Sequence, residues 1–385
     1  MSNFDKKIKV SHFVGLRGIG GVQSNFLEFC KFLKKNNLLS NHRIYTLGKV
    51  DVEYQAKMQL KVFNILNLIN FFKLIKDIVS SKVIFHSYNN LSSKKFRLLV
   101  FFLKPKKFII HERGTIWNQN LSSKKSIKNT ALKASFIIAN SNATKNLLNL
   151  KFEIPEKKIQ VIHNGISIEN DQTAKQTSPD NINVGFLGRI EFHKGLHILL
   201  EAAEILKDKN VSFLIGGDGP LRIKLEKKFS HCKKIKFLGR VEDVKNFFSR
   251  VDLLVVPSIR EPFGNVIIEA GKYNTAVIAT FIDGIPEILN KTNAGILIKP
   301  RVLIEKTESY ENFPDTVINP ETNSLETPRQ ISKKELAKKI SFFLENPKEL
   351  SSYGNNLKSI VEKEFSIEEY SKKLYHSYQI VFNEI

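Results

Sequence analysis

Short apolar runs of strand length recur along this chain, each followed by a stretch of helical period, and the series stops once and begins again. The first series has runs at 8–14, 43–47, 83–86, 108–110 and 136–139; the second has them at 183–186, 211–215, 235–238, 253–256, 277–280 and 295–298. Strands alternating with helices build parallel, doubly wound sheets. Two such series predict an α/β chain of two Rossmann-like domains, 1–166 and 183–365, joined by the polar, unpatterned linker 167–182. A length of 385 residues also exceeds one ordinary core. Residues 301–331 follow no period and are expected to form a mobile insertion. Segment 62–79 reads as an amphipathic helix packed on the first sheet. Ser366 and Glu369 make a capping box for a final helix, 366–385, whose stripe Ile367, Tyr370, Leu374, Tyr378 and Val381 is expected to pack back on the first domain.

Bulk properties narrow the classes. The two cysteines, Cys30 and Cys232, lie far apart and at no metal-ligand spacing, so neither a disulfide framework nor a zinc site is expected. No signal peptide is read at the start, and no window of about 18 apolar residues spans a bilayer. A cytoplasmic protein is the expectation. Net charge is +22, and its distribution is uneven: residues 1–165 hold 29 Lys+Arg against 8 Asp+Glu, and the remainder holds 31 against 30. A compositional bias would load both halves alike. The first half is therefore expected to face something anionic, a membrane surface or a polyanion. Only 4 of those 29 basic residues are Arg, and no nucleic-acid motif accompanies them, which argues against a nucleic-acid partner.

The chemistry concentrates in residues 257–287, PSIREPFGNVIIEAGKYNTAVIATFIDGIPE. Glu261 precedes a Pro-Phe-Gly turn, and Glu269 lies on the helix expected after it. Backbone N–H groups at Gly264, Asn265 and Val266 would be the unsatisfied donors of that helix start, a ready phosphate site. Taken alone, two glutamates near a helix start are ordinary carboxylates favoured by the dipole. Beside an anion site, they suit a ligand with both a diphosphate and vicinal hydroxyls. Upstream, Gly188-Arg189-Ile190-Glu191-Phe192-His193-Lys194-Gly195 follows the first strand of the second half. Arg189 and Lys194 thus sit at a carboxyl strand end, where open α/β sheets bind ligands.

These strings resemble the donor-binding segment and the Gly-Arg-x-x-x-x-Lys-Gly phosphate motif of family-4 retaining glycosyltransferases of the GT-B fold, bacterial surface-polysaccharide type. Asp283-Gly284 stands where a Gly-Gly pair is commoner. The resemblance implies two domains whose sheets face a central cleft, and a metal-independent hexosyltransferase-type reaction. The substrate would be a nucleotide-diphospho-sugar, UDP before GDP, and no cofactor is implied. Arg189, Lys194 and the helix start would take the diphosphate, Glu261 the sugar hydroxyls and Glu269 the ribose diol. Gly217, Arg240, Val241 and Phe263 would complete the donor site. In the first domain, Gly20 and Gly21 would close over the phosphates, and His111, read as pointing from a strand tip, would bind the sugar. Arg113, on charge and position, is expected to hold an acceptor phosphate. Segment 91–108 flanks six apolar residues with Lys94, Lys95, Arg97, Lys104, Lys106 and Lys107. It reads either as a helix in the headgroup plane of an anionic membrane carrying a lipid-linked glycan acceptor, or as a crossover helix packed on the sheet. A nucleic-acid-binding protein and a nucleotide-sugar epimerase of the same fold are the alternative readings.

Overall fold

The computed structural model describes residues 7–18, 20–48, 50, 61–168, 175, 181–290, 293–304 and 313–383. The chain divides into two compact units: Met1–Ser167 with Phe365–Ile385, and Ile168–Glu364.

The first unit opens with β1 (Val10–Phe13) and α1 (Gly21–Lys35), then β2 (His42–Thr46), β3 (Val62–Asn64) and α2 (Leu68–Val79). It continues through β4 (Ile84–Tyr88), α3 (Lys94–Leu103), β5 (Phe108–Glu112), α4 (Lys124–Ala131), β6 (Phe136–Ala139), α5 (Asn142–Phe152) and β7 (Ile159–Val161). The seven strands form one parallel sheet in the order β3-β2-β1-β4-β5-β6-β7. The order reverses direction at β1, the arrangement of a doubly wound sheet. Polar side chains start the helices: Asn67, Ser93 and Ser141 each accept a backbone N–H three residues on. Segment 62–79 is thus a strand followed by a helix. Only Leu74, Asp77 and Ile78 of α2 are buried, while Leu68, Ile69 and Phe72 stay exposed.

The second unit runs β8 (Ile182–Leu187), α6 (Leu196–Ile205), β9 (Val211–Gly216), α7 (Arg222–Lys228), β10 (Ile235–Gly239), α8 (Val244–Ser249), β11 (Leu253–Val256) and α9 (Asn265–Lys272). It then adds β12 (Ala276–Thr280), α10 (Pro286–Leu289) and β13 (Ile296–Ile298). Its six-stranded parallel sheet has the order β10-β9-β8-β11-β12-β13. Both strand faces carry Val, Ile, Leu and Phe because helices cover them. Beyond this sheet, β14 (Val302–Leu303) pairs antiparallel with β17 (Arg329–Gln330), and β15 (Val317–Ile318) pairs with β16 (Leu325–Glu326). The described part of 301–331, expected to be a mobile insertion, thus carries two short strand pairs; residues 305–312 lie outside the described residues. Of the proposed linker, 169–174 and 176–180 also lie outside them. Lys175 is held by Phe248 O, Val251 O and Thr275 Oγ1 at 2.6–3.1 Å.

After α11 (Lys333–Glu345) and α12 (Pro347–Glu364), the chain returns to the first unit as α13 (Ile367–Asn383). Ser366 Oγ accepts Glu369 N–H at 3.2 Å, and Tyr370, Leu374, Tyr378 and Val381 join the core of β1, β4 and α1.

Candidate functional site

Three loops at the carboxyl ends of β8, β9 and β11 are locked together by glycines. A Cβ at Gly195 would lie 1.9 Å from Pro257 O, and one at Gly217 would lie 1.8 Å from Gly188 O, so neither position admits another residue. This close stacking sets Lys194, at the end of the 3-10 turn Phe192–Lys194, against the loop after β11. There Lys194 Nζ donates to Glu261 Oε2 at 2.7 Å, and Ser258 Oγ reaches the same oxygen at 3.3 Å. Glu261 is buried and Lys194 half-buried, so water screens the pair poorly and each charge holds the other in place.

Gly264, at φ +106°, caps α9 without any side-chain cap, so the helix start faces this loop with Asn265 and Val266 as its first residues. Phe263 is buried beneath it. Glu269 is half-buried on α9, and burial pushes its carboxyl up to about 7 against the opposing pull of Lys272. Arg189 is more open: its side chain is 67% exposed and donates from Nη1 to Glu191 Oε1 at 2.8 Å. Arg240 is exposed after β10, and Val241 packs where a Cβ on Gly216 would stand.

Three residues not picked out from sequence belong to the same framework. His193 is buried beside Lys194 with Nδ1 3.3 Å from Glu191 Oε2. Burial, then Lys194, Arg260 and Arg189, push it down to about 2, so it is neutral. Arg260 is buried between Ile259 and Glu261. Asp283 is buried too, and its carboxylate accepts the backbone N–H of Glu261 at 2.8 Å. The only signal in the sequence was an aspartate where a glycine is usual.

In the first unit the site expectations fare differently. Gly20 is the N-cap of α1 in extended conformation, and Gly21 is its first residue. His111 does not point from a strand tip: it lies within β5, fully buried, its ring parallel to His86 at 5.4 Å and stacked on Tyr88 at 5.2 Å. Neither of its ring nitrogens has a hydrogen-bond partner among the described residues. Arg113, expected to hold an acceptor phosphate, is buried. Its Nη2 donates to Asn25 Oδ1 at 2.6 Å and to Asn164 Oδ1, which fixes the guanidinium inside the unit. Arg97 is spent on Ser126 Oγ, Leu91 O and Ser92 O at 2.9–3.0 Å. Lys107 is buried, donates to Phe382 O at 2.6 Å and so serves the carboxyl end of α13. Neither of the last two can face a membrane. Lys94, Lys95 and Lys106 are exposed.

Residues 181–310 match the family described as Glycosyl transferases group 1, and residues 57–170 match Glycosyltransferase Family 4. The chain thus carries two glycosyltransferase-type domain matches, one in each half. The chain is 31% identical over 183 residues to an uncharacterized glycosyltransferase of Methanocaldococcus jannaschii, a span of 43% of this chain and 47% of that protein. It is 26% identical over 200 residues to the capsular polysaccharide biosynthesis glycosyltransferase CapM of Staphylococcus aureus, covering 46% of this chain and 53% of that one. The chain thus matches about half the length of these relatives. Among solved structures, HepE of Anabaena in complex with UDP and glucose aligns over 97% of this chain and 99% of its own, at 18% identity and TM-score 0.73. The fold is GT-B, with two parallel-sheet Rossmann-like domains.

Proposed function

We propose that this chain transfers a sugar, with retention of configuration and without a metal, from a nucleotide-diphospho-sugar to a precursor of a cell-surface glycan. The Lys194–Glu261 pair, 2.7 Å apart beside the uncapped start of α9, carries the reading. During transfer the bond from sugar to diphosphate breaks, the acceptor oxygen takes its place, and negative charge accumulates on the departing diphosphate. Lys194 and the backbone N–H groups of α9 are positioned to offset that charge, with Arg189 reaching in from the edge. Glu261 then receives sugar hydroxyls and Glu269 the ribose diol. UDP is the favoured nucleotide because HepE was solved with it, and GDP is second. The surface-glycan role draws support from the capsular relative.

Thermal shift against a panel of nucleotide sugars tests the donor, and turnover of the stabilising compound tests the transfer. Lys194→Ala is expected to lower turnover by at least about two orders of magnitude, the scale of one lost electrostatic donor, while the fold survives. Near-normal turnover in that variant would overturn the assignment. EDTA is expected to leave the rate unchanged. Release of UDP in an epimerisation needing no acceptor would favour the epimerase instead.

The acceptor is proposed to be lipid-linked and reached from an anionic membrane face, the cytoplasmic one. Support comes from the first unit's outer helices. Leu68, Ile69 and Phe72 of α2 and Leu98, Phe101 and Phe102 of α3 are exposed, with Lys73, Lys76, Lys94 and Lys95 on the same two helices. Apolar side chains ringed by lysines suit the headgroup region. No helix among the described residues is long and apolar enough to cross a membrane. Flotation with liposomes is expected to need anionic lipid and to weaken with salt; equal flotation on neutral lipid would remove the membrane from this reading.

A further inference from the structure

Asp283 is wired in two directions at once. Its buried carboxylate accepts Glu261 N–H on Oδ2 at 2.8 Å and Ile318 N–H on Oδ1 at 2.7 Å. Its own N–H donates to Ile318 O at 3.1 Å, and the N–H of the next residue, Gly284, donates to Glu261 O at 3.2 Å. One side chain therefore joins the loop that carries Glu261 to strand β15 of the segment 313–331. The residue adopts φ +45°, a conformation costly for most side chains and tolerated by aspartate and asparagine. Glycine would take that backbone freely but would supply no acceptor. The same segment touches the other half of the ion pair. Phe313 stacks on Phe192 with ring centroids 5.5 Å apart, two residues before Lys194. Gln330 Oε1 lies 3.1 Å from His197 Nε2, just past Gly195.

We infer that segment 313–331, acting through Asp283, is a positioning element that fixes the Lys194–Glu261 pair for the donor sugar. The inference rests on the reading of Glu261 as a ligand of the transferred sugar. Asp283 touches neither sugar nor nucleotide in this scheme; it sets the angle of the loop on which Glu261 sits. A buried carboxyl accepting two N–H groups ties both loops together, and removing it leaves both donors orphaned in a dry interior. The loop then keeps its sequence and loses its fixed register. Diphosphate and ribose recognition is carried by the start of α9, Lys194 and Glu269. Deleting the tie should therefore damage turnover far more than nucleotide binding.

The test uses the full chain with Asp283→Gly, which relieves the backbone, and with Asp283→Asn, which keeps one acceptor oxygen. Hydrogen exchange of peptides spanning 258–266 and 313–322 is expected to accelerate at least about tenfold in Asp283→Gly, and less in Asp283→Asn. UDP affinity, by calorimetry, is expected to stay within about threefold. The kcat for the nucleotide sugar that turns over in the panel is expected to fall by about tenfold or more, partly restored in Asp283→Asn. Phe313→Ala is expected to act in the same direction. Unchanged exchange at 258–266 would overturn the tie. Faster exchange with unchanged kcat, or equal losses in kcat and UDP affinity, would overturn the positioning role. Glu261→Gln separates the two levels. If it leaves turnover intact, the site reading fails. If it abolishes turnover while Asp283→Gly does not, only this inference fails.

Discussion

The two sheets share a winding order but place their buried polar side chains differently. In the second unit the core around β8, β9 and β11 is aliphatic and aromatic throughout, and its polar groups sit at strand ends. In the first unit polar rings lie in the core itself. His12 Nε2 and His42 Nδ1 approach to 2.7 Å, His42 Nε2 and Tyr375 Oη to 2.9 Å, and His86 Nδ1 and Tyr378 Oη to 2.8 Å. In this layer between the sheet and α13, His12 and His42 are bonded through both ring nitrogens, whereas His86 Nε2 and both ring nitrogens of His111 have no hydrogen-bond partner among the described residues. Residue type alone therefore does not mark a site; what separates the two units is where each polar side chain spends its hydrogen bonds.

Acid should separate them most sharply. Burial pushes His12, His86 and His111 well below the usual range and His42 to about 3, so all four are neutral when folded and take protons when unfolded below about 6.5. Their contribution is present above about pH 6.5 and is lost as pH falls toward the folded values, at about 1.4 kcal/mol per pH unit for each. In the second unit, buried His193 and His197 act in the same sense. Glu269, pushed up to about 7, and Asp283, pushed up to about 8, act in the opposite sense. Acid unfolding is thus expected to begin in the first unit. The single tryptophan, Trp117, is buried there, so its fluorescence reports that unit alone. A fluorescence transition no earlier than loss of protection in the second unit would break the comparison.

Arg113 sharpens it next. Arg113→Met is expected to cost the first unit about 3 kcal/mol, since Asn25 and Asn164 lose a charged donor, and to leave UDP affinity alone. Loss of turnover at unchanged stability would return it to the acceptor site. Glu269 gives a smaller effect. A diol donates to the ionised carboxylate, so nucleotide affinity is expected to rise by up to about tenfold from pH 6 to pH 8 and then level, following the group at about 7. Glu269→Gln should flatten that profile. The lysines come last. Lys94, Lys95 and Lys106 changed to Gln should each weaken flotation by no more than about 1 kcal/mol. Lys107→Gln should instead lower the denaturation midpoint of the first unit.

Most strands were legible because parallel sheets write continuous apolar runs, and 136–139 and 253–256 agree with β6 and β11 to the residue. Strand β3 was hidden because Val62–Asn64 is short and runs straight into the period of α2. The pieces of 301–331 were hidden because two-residue strands carry no pattern at all. Gly195 and Gly217 stood in the motif strings, but the Lys194–Glu261 contact across 67 residues was not read from them. Asp283 and Arg113 depended on partners 22 to 88 residues away, which no local pattern records.

The return of α13 to the first unit has a consequence for synthesis. The histidine layer acquires its Tyr375 and Tyr378 partners only once the helix that follows the whole second unit has been made. At about 5–20 residues per second, the intervening 168–364 takes about 10–40 s to translate. Through that interval the sheet face that α13 shares with α1 is only partly covered and its imidazoles lack their tyrosine partners, while the second unit is free to finish. Order of emergence from the ribosome is thus the reverse of order of completion, and a nascent chain stalled before Ile367 would display a folded second unit tethered to an open, basic first one.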